Sequence, residues 1–147
     1  MPLDAKHFPL KHLAENPILT LTFEPTEAMT IGDTVYVHDL EEFLSEIPEF
    51  RLTALLLHEQ VHSIRQQAYG VFPWILKYLV DKDFALHEEK LGWAAHLLWL
   101  RDHGHDINRD VAAYSLSNYM VLTGYLISEE DARIWVDQVL DQGLRPN

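Results

Sequence analysis

The strongest constraint on what this chain can fold into is the stretch from Leu55 to Ile64, where His58, Glu59 and His62 form an H-E-x-x-H pattern in an uncharged, largely apolar frame. On an α-helix, positions i and i+4 lie one turn apart on the same face, so His58 and His62 can present two imidazole nitrogens to one metal ion. Zinc is the natural occupant: it takes nitrogen ligands at about 2.0 to 2.1 Å, and a catalytic site uses three protein ligands and leaves the fourth position to water. Glu59 is rotated off the ligand pair but stays beside it, where its carboxylate can take a proton from that water. The frame matters as much as the motif. Three leucines precede His58, and Gln60, Val61, Ser63 and Ile64 carry no charge, as a buried active-site helix requires. The same two histidines also fit a half-buried helix in which hydrogen bonds satisfy both rings.

Two imidazoles need a third protein ligand to make a catalytic zinc site. Candidates cluster at His87, Glu88 and Glu89, far enough past the first helix for a connector and an antiparallel return. Either carboxylate is competent, and His87 would give an all-histidine site. Glu88-Glu89-Lys90 also fits a solvated helix face. Against that stands the apolar run from Leu91 to Leu100, too hydrophobic for a surface element.

The length of 147 residues suits one domain, residues 1–147, with 1–17 as an N-terminal arm: prolines at 2, 9 and 17 interrupt it and no period is sustained. A hydrophobic share of 48% with four Trp indicates a globular chain. The net charge of -12 argues against nucleic-acid and anionic-membrane partners, both of which require basic patches. There is no cysteine, so any metal has to be held by histidine and carboxylate. The first residues lack the pattern of a signal peptide, and no apolar run approaches the roughly 18 residues of a membrane span; a cytoplasmic location is the expectation.

The local patterns predict an α+β fold, mostly helical, with strands confined to the first forty residues. Ile18 to Phe23 alternates like a strand, and Met29 to His38 carries Gly32-Asp33 as a hairpin turn, so a small N-terminal antiparallel sheet or hairpin is expected. Asp39 opens a short helix that Pro48 ends, and the motif helix runs from about Phe50 to Ala68, closed by Gly70, with Leu52, Leu55, Leu56, Val61 and Ile64 as its apolar surface. Further helices are expected from Pro73 to Val80, from an Asp83 cap through His103, from about Asn108 to Leu122, and from Ser128 to near Gly143.

The residues His58, Glu59 and His62 resemble the zincin metallopeptidases, and a Glu on a later helix as third ligand resembles their gluzincin branch. Leu57 to Gln67, Gly70 to Tyr78 and His87 to Trp93 resemble small single-domain metallopeptidase-like proteins of bacteria and their phages, over most of the chain from about Ile18. The resemblance implies a minimal zincin-like fold and assigns the third ligand to Glu89, because Gly92 and Trp93 fill the small and aromatic places three and four residues beyond it. It further implies a zinc-dependent hydrolase acting on a peptide or protein, with Glu59 as general base. An edge strand beside the motif helix would receive the substrate. Thermolysin-like enzymes carry an Asp where this chain has Trp93, so whatever orients the ligand histidines has to come from elsewhere. For the donor to the developing oxyanion the candidates are His96, Tyr114 and Tyr119, with Tyr119 favoured for its polar-interrupted surroundings. Arg65 could anchor a substrate carboxylate, but a pairing with an acid at the surface is the expectation. The alternative is a zinc-binding structural or interaction module of the same fold with little or no turnover. A carboxylate-bridged iron bundle would need a second Glu-x-x-His, and the sequence has only Glu59-x-x-His62.

Overall fold

A computed structural model describes residues 10–12, 28–37 and 40–146. The expected strand from Ile18 to Phe23 and the cap at Asp39 lie outside the described residues. Three short strands come first: β1 (Leu10–His12), β2 (Met29–Ile31) and β3 (Thr34–Val37). Helices follow: α1 (Leu40–Glu46), α2 (Glu49–Tyr69), α3 (Val71–Val80), α4 (Lys82–Asp102) and α5 (Arg109–Ser117). A second hairpin, β4 (Met120–Val121) with β5 (Gly124–Tyr125), precedes the last helix, α6 (Glu129–Gln142). The protein is thus mostly helical, with a small sheet at its N-terminal side. None of the described helices is long and apolar enough to cross a membrane.

The β2–β3 hairpin is antiparallel as expected, and it turns on Gly32-Asp33 with Gly32 at φ 62°. A positive φ at the first turn residue alone belongs to the II′ hairpin, for which glycine is the natural occupant. The sheet as a whole is mixed and not antiparallel, because β1 pairs with β3 in parallel on its other side. Among the described residues that leaves β2 at an edge. Its outer side faces α2, where the Gln66 amide acts as a substitute strand: Nε2 donates to Thr30 O at 2.8 Å and Oε1 accepts from Gly32 N at 2.7 Å.

The two long helices α2 and α4 make the largest contact in the molecule. Their pairings run in opposite senses, His58 beside Gly92, His62 beside Glu89 and Arg65 beside Glu88, so α4 returns antiparallel across α2. The cap of α4 is Asp81 and not Asp83: Asp81 is extended at φ -114° and its Oδ1 accepts from Phe84 N at 3.0 Å, while Asp83 sits in the first turn. Ile64 is 53% exposed, on the outer face of α2 and not in its apolar surface.

The helix expected to reach Leu122 stops at Ser117. There Ser117 Oγ and Asn118 Nδ2 both donate to Tyr114 O, at 2.8 and 2.9 Å, taking a carbonyl the next helical turn would have used. Strands are therefore not confined to the first forty residues. The β4–β5 hairpin is tied to the end of α3 by Leu122 N donating to Leu79 O at 3.1 Å. Ser128 caps α6 through Asp131 N, and Gly143 ends it in the left-handed conformation, as the sequence suggested.

Buried apolar residues fall into three groups. Leu97, Leu98, Leu116, Val136 and Val139 join α4, α5 and α6. Val35, Val37, Leu55 and Leu56 join the hairpin to α2. Trp74, Tyr78, Ala85, Val121 and Leu126 join α3, α4 and the second hairpin.

Replacing Gln66 by Leu strands Thr30 O and Gly32 N against α2. Each unpaired buried group costs about 1 to 3 kcal/mol, so urea unfolding of Gln66→Leu should show a loss of at least about 2 kcal/mol. A midpoint equal to the parent's would mean that the amide does not anchor the hairpin.

Candidate metal centre

Between α2 and α4 the apolar core gives way to a compact polar patch. His58, Glu59, His62, Glu88 and Glu89 are all at most 5% exposed. His58 and His62 project from one face of α2 with their Nε2 atoms 3.0 Å apart. Glu89 meets both from α4, Oε2 at 3.2 Å from His58 Nε2 and Oε1 at 3.5 Å from His62 Nε2. Among the described residues this is the one group of three side chains able to hold a metal ion.

The donor set can be tested for fit. Tetrahedral bonds of 2.0 to 2.1 Å place ligand atoms about 3.3 Å apart; the two nitrogens at 3.0 Å, and the nearest Glu89 oxygen to each, Oε2 at 3.2 Å from His58 and Oε1 at 3.5 Å from His62, lie close to that edge. The nitrogens and the oxygen are the atoms zinc takes, and Glu89 Oε2 is buried with no hydrogen-bond donor of its own. Close approach of α4 is made possible by Gly92: a Cβ there would stand 2.8 Å from both Cδ2 and Nε2 of His58.

The electrostatics are those of a shared charge. Burial by itself would depress His62, but the Glu89 carboxylate, aided by Glu59 and Glu88, raises it to about 9. Burial would likewise push Glu89 up, and the two imidazoles outweigh it, holding the carboxyl well below the usual range. Without a metal the site keeps a proton between these groups, and a cation would have to displace it.

The other carboxylates have separate partners. Glu59 Oε2 accepts from Thr30 Oγ1 at 2.7 Å, so β2 supports the side chain expected to act as base. Glu88, the rival ligand, is turned to Arg65 instead: Arg65 Nε lies 3.1 Å from both oxygens and Nη2 donates to Oε1 at 2.6 Å. Arg65 thus pairs with an acid, as anticipated, but a fully buried one and not at the surface. His87 stays half-buried outside the triad.

A cleft of about 110 Å³ opens over the triad, walled by Thr30, Trp74, Ile75, Tyr78, Tyr119 and Met120. Tyr119 is in this wall, although it stands in the link from α5 to β4 and not on a helix. Burial and then the charges of Glu89 and Glu59 push its phenol well above its ordinary pKa, so it stays protonated. Tyr114 is 58% exposed and does not line the cleft. Neither does His96, which stacks on Trp93 with ring centres 4.9 Å apart; burial and the nearby His58 and Arg51 lower it to about 3.

Sequence reasoning missed Thr30, Gln66 and Tyr78. Tyr78 donates its hydroxyl to Glu89 Oε1 at 2.6 Å. Its position in the aromatic stretch of α3 was visible, but nothing in a single sequence says which of its aromatics turns inward. Among the described residues nothing meets Nδ1 of His58 or of His62. The partner that the absence of an Asp at position 93 left open is therefore not supplied by a side chain or carbonyl there. Compared with known proteins, the chain matches no family model, no curated protein and no solved structure.

Gly92→Ala should crowd the His58 ring. Overpacking of this kind costs about 1 to 3 kcal/mol, so the variant should melt lower and its His58 ring NMR signals should move. An unchanged melting temperature with unchanged His58 signals would mean that the helices have room to spare.

Proposed function

We propose that the protein is a zinc-dependent hydrolase of the zincin type, gluzincin-like in drawing its third ligand from a later helix, and that it acts on peptides. His58 Nε2, His62 Nε2 and Glu89 would hold the ion. The observation that carries the reading is the convergence of both Nε2 atoms and the Glu89 carboxylate in a buried site, each nitrogen within 3.5 Å of a carboxylate oxygen. When bound there, zinc would supply Lewis acidity toward a carbonyl oxygen and lower the pKa of a coordinated water toward about 7.

The chain's own groups account for the remaining chemistry. Glu59 keeps Oε2 on the Thr30 hydroxyl, which fixes the carboxylate at the cleft and leaves Oε1 to accept a proton from the attacking water. The same oxygen then returns the proton to the leaving amine. Tyr119 carries a protonated phenol on the cleft wall, where it can donate to the oxyanion that develops on the attacked carbonyl. Trp74, Ile75 and Met120 limit water in the cleft. Peptide as substrate rests on β2, an edge strand that lines the cleft and can accept an extended chain. Gln66 already occupies Thr30 O and Gly32 N, which shortens the edge open to pairing.

A second reading, a zinc-binding structural or interaction module with little turnover, is favoured by the ligand histidines themselves. Among the described residues nothing meets their Nδ1 atoms, and loss of such partners typically costs about 10 to 100-fold in metal affinity or activity.

The two readings separate on Glu59→Gln, assayed against a mixed peptide library with zinc content measured in parallel. The hydrolase reading predicts that zinc is kept while cleavage falls by about 10² to 10⁴-fold, the usual contribution of a general base. Cleavage undiminished in Glu59→Gln, or absent from the zinc-loaded parent, would contradict it.

A further inference from the structure

We infer that Tyr78 is a positioning residue that holds Glu89 to ligation through a single oxygen, Oε2, by keeping Oε1 for its own hydroxyl. The inference rests on the reading of His58, His62 and Glu89 as a metal site. Its starting point is that the two Glu89 oxygens are not equivalent. Oε1 accepts a buried hydrogen bond from Tyr78 at 2.6 Å. Oε2 lies 3.2 Å from His58 Nε2 and, among the described residues, accepts no well-aligned hydrogen bond.

The phenol is poorly able to turn away. Tyr78 is 8% exposed and stacks on Trp74 with ring centres 5.0 Å apart, and Trp74 in turn packs against His62 at 5.6 Å and Phe84 at 6.0 Å. The aromatic that braces Tyr78 therefore also rests on a ligand histidine. Tyr78 and Glu89 come from α3 and α4, so the bond joins the two helices across the floor of the cleft.

A carboxylate can bind a cation through one oxygen or both. A short hydrogen bond from a fixed phenol draws electron density from one oxygen and holds the carboxylate plane, so that only the other is offered. Two nitrogens and one oxygen then leave a fourth position open, the arrangement a catalytic site needs. Without the hydroxyl, Oε1 is only 3.5 Å from His62 Nε2 and can swing into that position. The residue never needs to touch a substrate to matter; it preserves the place where one would react.

Cobalt(II) reports this directly, because four-coordinate cobalt absorbs visible light far more strongly than five- or six-coordinate cobalt. Co²⁺ is titrated into the full chain and into Tyr78→Phe, a swap that keeps the ring. The parent should give intense visible bands, and the variant should still bind cobalt but with bands weakened several-fold per bound ion. Loss of packing alone would lower affinity and leave the intensity per ion unchanged. Equal intensities in parent and variant would overturn the inference. A parent that binds no cobalt would overturn the metal-site reading beneath it, a distinguishable failure. A measurement independent of the variant's folding is the crystal structure of the zinc-loaded parent: Oε2 at bonding distance with Oε1 still on Tyr78 agrees, and both oxygens on zinc overturns.

Discussion

Three carboxylates and two imidazoles cannot be taken out of water between two helices unless every charge finds a partner, because an isolated buried ion costs far more than a domain can spare. Here each carboxylate has its own. Glu88 is matched by the Arg65 guanidinium, Glu59 by the Thr30 hydroxyl, and Glu89 by Tyr78 and His62 beside Oε1 and by His58 beside Oε2. These partners come from α2, β2 and α3. The placement of those elements around α4 is thus tied to the polar patch as firmly as to the apolar groups beside it.

The consequences run outward from that patch. The antiparallel seating of α4 on α2 depends on Gly92, where any side chain would enter the His58 ring. The hairpin is held as an edge by Gln66 and touches the motif helix again through Thr30. The short helix α3 carries Trp74 and Tyr78 to the cleft, and the second hairpin with the link before it brings Met120 and Tyr119 there. The α5–α6 pair stands further off. It packs on α4 through Leu97, Leu116 and Val139, and is clasped outside by Arg109 with Asp137 and Asp141.

Much of this was legible in the residues. The closing Gly70, the Gly32-Asp33 turn and the Ser128 cap are local signals with one physical reading each, and each element forms where its signal lies. The residues alone left His87, Glu88 and Glu89 open as the partner of the two histidines; the resemblance pointed to Glu89, and Glu89 is the one that meets them. What escaped was set by competition or by distance. Ser117 and Asn118 end α5 by binding a carbonyl, a contest that helix periodicity does not register. The pairings of Arg65 with Glu88 and of Tyr78 with Glu89 join residues 23 and 11 positions apart, and depend on how three helices settle together. The parallel addition of β1 to β3 is of the same kind, since three residues carry no pattern that names a partner.

The claim on which the rest depends is that His58, His62 and Glu89 bind zinc together while their neighbour Glu88 serves only Arg65. Elemental analysis of the purified full chain, with Glu89→Ala and Glu88→Gln beside it, tests that most directly. The account predicts about one zinc per chain in the parent, as a three-ligand site holds, little in Glu89→Ala, and near-parental content in Glu88→Gln. Zinc absent from the parent even after its addition, or retained by Glu89→Ala and lost from Glu88→Gln, would contradict it.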